Sequence, residues 1–423
     1  MKFLKDLRSV LNLTVVVAGL GYFVDLFDIS VFGVVRIASL NDLGITDPNE
    51  VRSNGVFIYN CQMVGMMLGG LLWGVLSDKR GRLSVMFGSI LLYSLANLAN
   101  AFVWDVPSYA VCRFLGGFGL AGELGAAITL VAESLPKEKR GLGTTIVATL
   151  GMLGISAAAL ANKYMSWKAL YILGGIMGLA LLFTRFKIAE SELFAKKTDS
   201  SRANPLLILQ DGRFFKYICC ILVGVPIYFT TGVLFTFAPE LTKGLNVQGT
   251  VTAASAIMYG GYGLALGDML AGLMSQALKS RKRAVALSLV AGFCLMLVYG
   301  LVPGLTSTMV YVLSFCIATT VGYWAVLVTM SAEQFGTNIR GTVATTVPNF
   351  VRGSAALAAS GFNALIGHMS VASAALTVGS ICFGVALLAL TRISETFHRD
   401  LDYEETAGGA SQPIASAADP TGH

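Results

Sequence analysis

AVALSLVAGFCLMLVYGLVPGLTSTMVYVLSFCIATTVGYWAVLVTMSA, residues 284–332, runs for 49 positions without an Asp, Glu, Lys or Arg. A membrane-crossing helix needs about 20 apolar residues. The stretch is too long for one crossing, and Pro303-Gly304 divides it into two. Shorter charge-free runs occupy 53–77, 83–104, 141–162, 217–239 and 244–267, and the run 353–391 divides near Gly367-His368. Adding the charge-bearing stretches predicts twelve spans, at about 11–38, 55–76, 83–103, 107–134, 142–162, 167–187, 213–239, 250–277, 284–302, 308–332, 342–366 and 370–391. MKFLKDLRSV leads straight into the first of these with no small-residue cleavage site, so it reads as a retained helix rather than a signal peptide.

The composition agrees. Of 423 residues 55% are hydrophobic and only 13% charged, against roughly 25% charged in soluble domains. This is the composition of an all-α, multi-pass membrane protein. The net charge of +6 is dispersed, which excludes a nucleic-acid partner. All seven cysteines sit in apolar stretches, and two of the three histidines lie in the tail. Neither a disulfide framework nor a metal site is expected, and no cofactor. Nor is there an HExxH motif, or an extramembrane domain large enough for a catalytic unit, so no enzyme is expected.

Connections are short except for the polar stretch AESELFAKKTDSSRANP. The expected organisation is a six-helix half at 1–190, a cytoplasmic linker at 191–212, a second six-helix half at 213–395 and a disordered cytoplasmic tail at 396–423. With an even number of spans both termini share a side. If that side is the cytoplasm, its loops hold 23 Lys and Arg against 4 opposite, and the positive-inside rule places both termini there. The run Lys279-Ser-Arg281-Lys282-Arg283 belongs to this pattern and suits contact with anionic lipid.

The halves repeat one another. Gly65, Gly69, Gly74 and Ser77 recur 198 positions later as Gly263, Gly267, Gly272 and Ser275. Glu133 and Arg140-Gly141 recur 200 positions later as Glu333 and Arg340-Gly341. Paired six-helix repeats around a central cavity are a transporter architecture. A GxGxxG match at Gly117, Gly119 and Gly122 lies inside a span with no preceding strand, so helix packing accounts for it.

On these residues the chain resembles the major facilitator superfamily over about 1–395. GVLSDKRGR, Gly74 to Arg82, resembles that superfamily's signature between the second and third helices, and GLMSQALKSRKR, Gly272 to Arg283, is its degenerate copy. GLGYFVDLFDI, Gly19 to Ile29, is similar to the first helix of phosphate:proton symporters. The fourth-span segment RFLGGFGLAGELGAAITLVAESLP resembles that of metabolite:proton and phosphate symporters. SAEQFGTNIRGT, Ser331 to Thr342, resembles the start of the eleventh helix in sugar, phosphate and organic-ion carriers. The resemblance implies a cytoplasmic gating network that holds the outward-facing state, formed by Asp78, Arg82, Glu133, Arg140, Glu333 and Arg340.

A charge at bilayer depth costs several kcal/mol unless paired or hydrated, so each is a functional candidate. Asp25 and Asp28 sit about 60° apart on one face of the first span, and with Glu123 they are the candidate proton carriers. The competing role for each is a fixed ion pair. Arg36, near the far end of the first span, and Arg113 are candidate anion ligands; Arg36 otherwise snorkels, and Arg113 otherwise serves as a static partner for an acid. Asp268, whose repeat-mate is Gly70, suits a salt bridge or gating role. Tyr228, Tyr262, Tyr323 and Trp324 are candidate cavity aromatics, with ordinary packing the alternative.

Arg352 carries the functional reading. It lies about 15 Å into the eleventh span, and its repeat-mate is the uncharged Met152. A guanidinium there suits bidentate capture of a carboxylate or phosphate, with Asn349 one turn earlier on the same face and Pro348 able to bend the helix. Pairing with Asp28 or Glu123 is the alternative. In the resembled families this position is cationic in several anion carriers and acidic in organic-cation carriers, which implies an anion here. The expected protein is a monomeric, proton-coupled carrier of the cell (inner) membrane. Its partners would be protons, lipid and a small organic anion, a carboxylate or phosphate-containing metabolite. The rival is a proton-driven exporter of cationic or amphipathic drugs.

Overall fold

A computed structural model describes residues 13–80, 82–123, 140–192, 208, 210, 212–397, 403–405 and 411–413. The first half contributes α1 (Leu13–Asp42), α2 (Pro48–Arg80), α3 (Arg82–Asn100), α4 (Val106–Leu120), α5 (Arg140–Ala161) and α6 (Trp167–Glu192). The second opens with α7 (Arg213–Phe229), which runs through a π-helical segment (Thr230–Phe235) to the short α8 (Ala238–Gly244). It continues as α9 (Ala253–Ala277), α10 (Arg281–Leu301), α11 (Ser307–Val321), α12 (Trp324–Glu333), α13 (Thr337–Ile366) and α14 (Val371–Arg392). Among the described residues seven helical stretches are long and apolar enough to cross a membrane.

Polar residues start the helices where the sequence turns. Asp105 accepts from Ser108 N at 2.8 Å in a capping box, and Ser108 holds the exposed Asp105 carboxyl below its usual range. Thr252, Ser280, Thr306 and Ser370 cap α9, α10, α11 and α14 in the same way. Each supplies an acceptor for an N–H that the helix itself leaves unpaired. The 284–332 run divides at Pro303-Gly304 as its sequence predicts, with Gly304 at φ 75°; the 353–391 run divides between Ile366 and Val371.

The repeat is a packing device. Cβ atoms at Gly65 and Gly69 on α2 would collide with the carbonyls of Phe114 and Phe118, on and just inside the end of α4. Those at Gly263 and Gly267 on α9 would collide with the carbonyls of Phe315 and Thr319 on α11. Glycine pairs four residues apart thus let two backbones touch, once in each half. Between the halves, α2 packs along α13 and α5 along α9. Gly70 sits against Asn349, and Ser156 Oγ donates to Met258 O at 2.8 Å.

Three features depart from the sequence reading. The expected single helix over 308–332 is broken at Gly322-Tyr323, where a Cβ at Gly322 would stand 2.7 Å from Leu264 O. The span expected at 213–239 turns π-helical after Pro226, which has no N–H to donate. Thr230 and Thr231 return their hydroxyls to Pro226 O and Ile227 O at 2.8 and 3.2 Å. Thirdly, within the tail read as disordered, Tyr403–Glu405 pairs antiparallel with Ser411–Pro413. Glu405 lies 2.9 Å from Arg213, and its backbone exchanges hydrogen bonds with Asn338. A buried ion pair and a short strand pair account for order that composition does not predict.

Candidate functional site

Where the halves meet, a cavity opens between α1, α2 and α5 on one side and α7, the π segment, α9 and α12 on the other. Its volume is about 60 Å³. Its wall is mainly apolar, with Leu26, Ile29, Ile155, Ile257 and Phe235, and carries Tyr59, Tyr228, Thr231 and Trp324 as polar or aromatic fittings. Both backbone irregularities serve it. The π segment contributes Thr231 and Phe235, as π-bulges near functional sites often do, and the break before α12 delivers Trp324.

Asp268 holds that break. It is fully buried on α9, and its Oδ1 accepts from Ala325 N at 2.7 Å, capping the start of α12. Tyr323 OH donates to Val223 O at 2.8 Å and ties the same corner to α7. The sequence reading expected a salt bridge or gate at Asp268; the hydrogen bond observed is a helix cap.

Arg352 is fully buried on α13, one contact behind the cavity wall. Its Nε donates to Tyr228 OH at 3.0 Å and its Nη1 approaches Asn349 Oδ1 at 3.5 Å. The guanidinium carbon stands 5.6 Å from the Trp324 ring centre, and Tyr228 and Trp324 meet edge to face. Asn349 also donates to Ala121 O at 3.0 Å, reaching across to the first half.

The two aspartates of α1 address different arginines. Asp25 lies within electrostatic reach of Arg352. Asp28 instead neighbours Arg113, Asn97 and Glu123 inside the first half. Arg113 donates to Asn97 Oδ1 and to Asp28 O, and its guanidinium carbon lies 4.8 Å from the Tyr171 ring centre. Tyr171 shares a 2.6 Å hydrogen bond with Tyr109. The structure thus places Arg113 in a network within one bundle, away from the cavity wall. Glu123 is buried just beyond α4.

Arg36 closes the end of the molecule that carries the α1–α2 connection. It lies 2.6 Å from Glu240, donates to Thr236 O and stacks 4.4 Å from the Phe237 ring centre. Asn60 and Ser360, 2.7 Å apart, and Arg52 and Asn363 join the halves at the same end. The arginine therefore pairs across the halves rather than snorkelling.

Of the proposed gating set, Glu133 and the side chains of Asp78, Arg82 and Arg140 lie outside the described residues. Glu333 pairs with Arg281 at 2.6 Å, within the second half. Arg340 donates to Phe335 O. Sequence reasoning missed Asn97, Glu240, Arg281 and the pairing of Trp324 with Arg352. Asn97 is visible as a polar residue inside SLANLAN; Glu240 fell just outside a charge-free run.

Two inward-facing bundles related by repeat, with buried charge at their interface, define a helical membrane protein built around a central cavity. The sequence pattern of the Major Facilitator Superfamily matches residues 18–360, and the chain belongs to that superfamily. It is 31% identical to a niacin transporter of Acinetobacter baylyi over 41% of this chain and 40% of that protein. It is 28% identical to the 3-(3-hydroxy-phenyl)propionate transporter of Escherichia coli over 60% of this chain and 66% of the relative. A gallate transporter of Pseudomonas putida is 30% identical over 45% and 43%. The chain spans about half the length of the curated relatives it matches.

Proposed function

We propose that this protein is a secondary transporter that carries a small, flat organic carboxylate by alternating access, coupled to protons. The observation that carries the reading is Arg352, a fully buried guanidinium in contact with Tyr228 and Trp324 of a mainly apolar wall. An apolar slot with aromatic sides suits a ring, and a single buried cation suits one carboxylate. The acids named for the relatives have this form. In this reading twelve spans cross the cell membrane with both termini cytoplasmic.

Charge balance supports the coupling. A carboxylate entering beside Arg352 brings a second anion close to Asp25, and two anions at low dielectric repel strongly. A proton on Asp25 relieves that repulsion and travels with the cargo. Asp28, beside Arg113, and Glu123, beside Asp28, are the second place for a proton. Arg36 and Glu240 form the outer gate, since their pair joins the halves only when that end is closed.

Uptake into proteoliposomes tests this. With the outside acidified, labelled nicotinate, gallate or 3-(3-hydroxyphenyl)propionate should accumulate above equilibrium, and a protonophore should abolish the accumulation. Proton-driven movement of tetraphenylphosphonium with no movement of the acids would favour the cation exporter.

A further inference from the structure

Among the described residues, two buried donors on neighbouring side chains, Trp324 in the cavity wall and Arg352 just behind it beside Tyr22, have no acceptor at hydrogen-bond geometry: Trp324 Nε1 and Arg352 Nη2. Arg352 is fully buried and Trp324 is 3% exposed. Leaving a buried donor unpaired costs about 1–3 kcal/mol, and more for a charged one. Native structures hold few such groups, and each calls for a cause. Trp324 is not placed there by helix packing alone. The helix breaks immediately before it, and Asp268 caps the new start through Ala325. Tyr228 OH, meanwhile, accepts from Arg352 Nε at 3.0 Å, so that nitrogen already has its partner.

From this we infer that Arg352 Nη2 and Trp324 Nε1 form a two-donor seat for the carboxylate of the cargo, with Trp324 the residue that separates an acid from its neutral analogue. The inference rests on the carboxylate reading of the cavity and deepens it. A carboxylate has two oxygens and accepts from both donors at once. A primary amide offers one oxygen, and its NH₂ meets a donor where an acceptor is required. The indole N–H therefore selects against the amide, while the indole and Tyr228 rings bind both alike. Asp268 is a positioning residue in this scheme: it fixes the start of α12 and, through it, the indole.

The test is equilibrium binding of benzoate and nicotinate, and of benzamide and nicotinamide, to the purified full chain in nanodiscs. Trp324→Phe keeps a ring and removes the N–H. It should weaken acid binding about tenfold or more, as for a hydrogen bond to a charged group, with amide binding within twofold of the parent. Equal weakening of acid and amide would make Trp324 a packing residue and overturn the seat, as would acid binding unchanged from the parent. Arg352→Ala separates the two claims. Acid binding lost in Arg352→Ala but kept in Trp324→Phe sinks the seat and leaves the carboxylate reading standing. Acid binding kept in Arg352→Ala, or absent from the parent for both acids, removes the reading and the seat with it.

Discussion

The two halves share a frame and differ in their charges. Gly65 and Gly69 bring α2 against α4, and Gly263 and Gly267 bring α9 against α11, by the same four-residue spacing and the same contact with a facing carbonyl. Inside that common frame the first half encloses Arg113 with Asn97, Asp28 and Tyr171, all its own residues. The second half places Arg352 one contact behind the cavity wall, against Tyr228 and Trp324, which line it. Arg113 stands away from the cavity wall, whereas Arg352 touches two of the side chains that line it and lies within electrostatic reach of Asp25 from the other half. In the transport reading proposed above, the arginine beside the cavity is the one available for cargo. The repeat builds the scaffold, and departures from it mark the function.

The largest effect expected from breaking this comparison lies at Arg113. Removing one member of a buried charged network strands the others and costs about 3–5 kcal/mol. Arg113→Ala should therefore lower the unfolding temperature in detergent sharply, whereas Arg352→Ala should keep it near that of the parent. Equal losses of thermal stability would erase the distinction between the arginines.

Next comes the division of labour between the aspartates. Asp25→Asn and Asp28→Asn should each abolish proton-driven accumulation while leaving counterflow exchange partly intact. They should differ in binding: Asp25→Asn removes the anion nearest Arg352, so acid affinity rises at alkaline pH, and Asp28→Asn leaves it unchanged. Binding isotherms measured across pH for both variants check this, and identical profiles would show that the two aspartates act as one site.

A smaller effect sharpens the symmetry. Gly69→Val and Gly267→Val insert bulk at matched backbone contacts, and overpacking typically costs about 1–3 kcal/mol. The two unfolding temperatures should fall by similar amounts. A fall confined to one half would mean that the repeat is sequence likeness without shared mechanics.

The smallest effect concerns Glu395, beyond the end of α14. Burial pushes its carboxyl up, but hydrogen bonds from Ser280 and from the backbone of Phe397, Arg281 and Lys282 outweigh that and hold it below the usual range. A depressed carboxylate stabilises above its unfolded pKa and loses that contribution as pH falls through the folded one. Glu395→Gln should thus cost under about 1 kcal/mol at neutral pH and nothing once the parent's Glu395 is protonated in acid. Melting curves at neutral and acidic pH would show the difference closing.

Much of this frame is legible in the sequence because hydropathy and glycine spacing are local signals. The 49-residue uncharged run announces two crossings, and Gly65-x3-Gly69 with its copy announces two close helix pairs. Which charges meet is a matter of tertiary placement and does not show. Asp25 and Asp28 are three residues apart, yet the 60° between them turns one toward Arg352 and the other toward Arg113. For Arg36 the sequence offers an anion ligand or a snorkelling residue and not an ion pair, because its partner Glu240 lies 204 positions away. The break at Gly322-Tyr323 does not show because apolar composition persists through it, and the groups that hold the new helix start, Asp268 on α9 and Val223 O on α7, lie far away in the sequence.

Arg352 is the centre of the account, and its most direct test is nicotinate binding to Arg352→Ala and Arg352→Lys in a lipid bilayer. Loss of a buried, hydrogen-bonded charge partner typically costs about 2–5 kcal/mol of binding. Arg352→Ala should lose affinity by that amount with its unfolding temperature near that of the parent. Arg352→Lys should bind more weakly than the parent but still prefer the acid over nicotinamide, since the charge remains and the planar fork does not. Parent-like nicotinate affinity in Arg352→Ala would contradict the account and leave this arginine a structural member of α13.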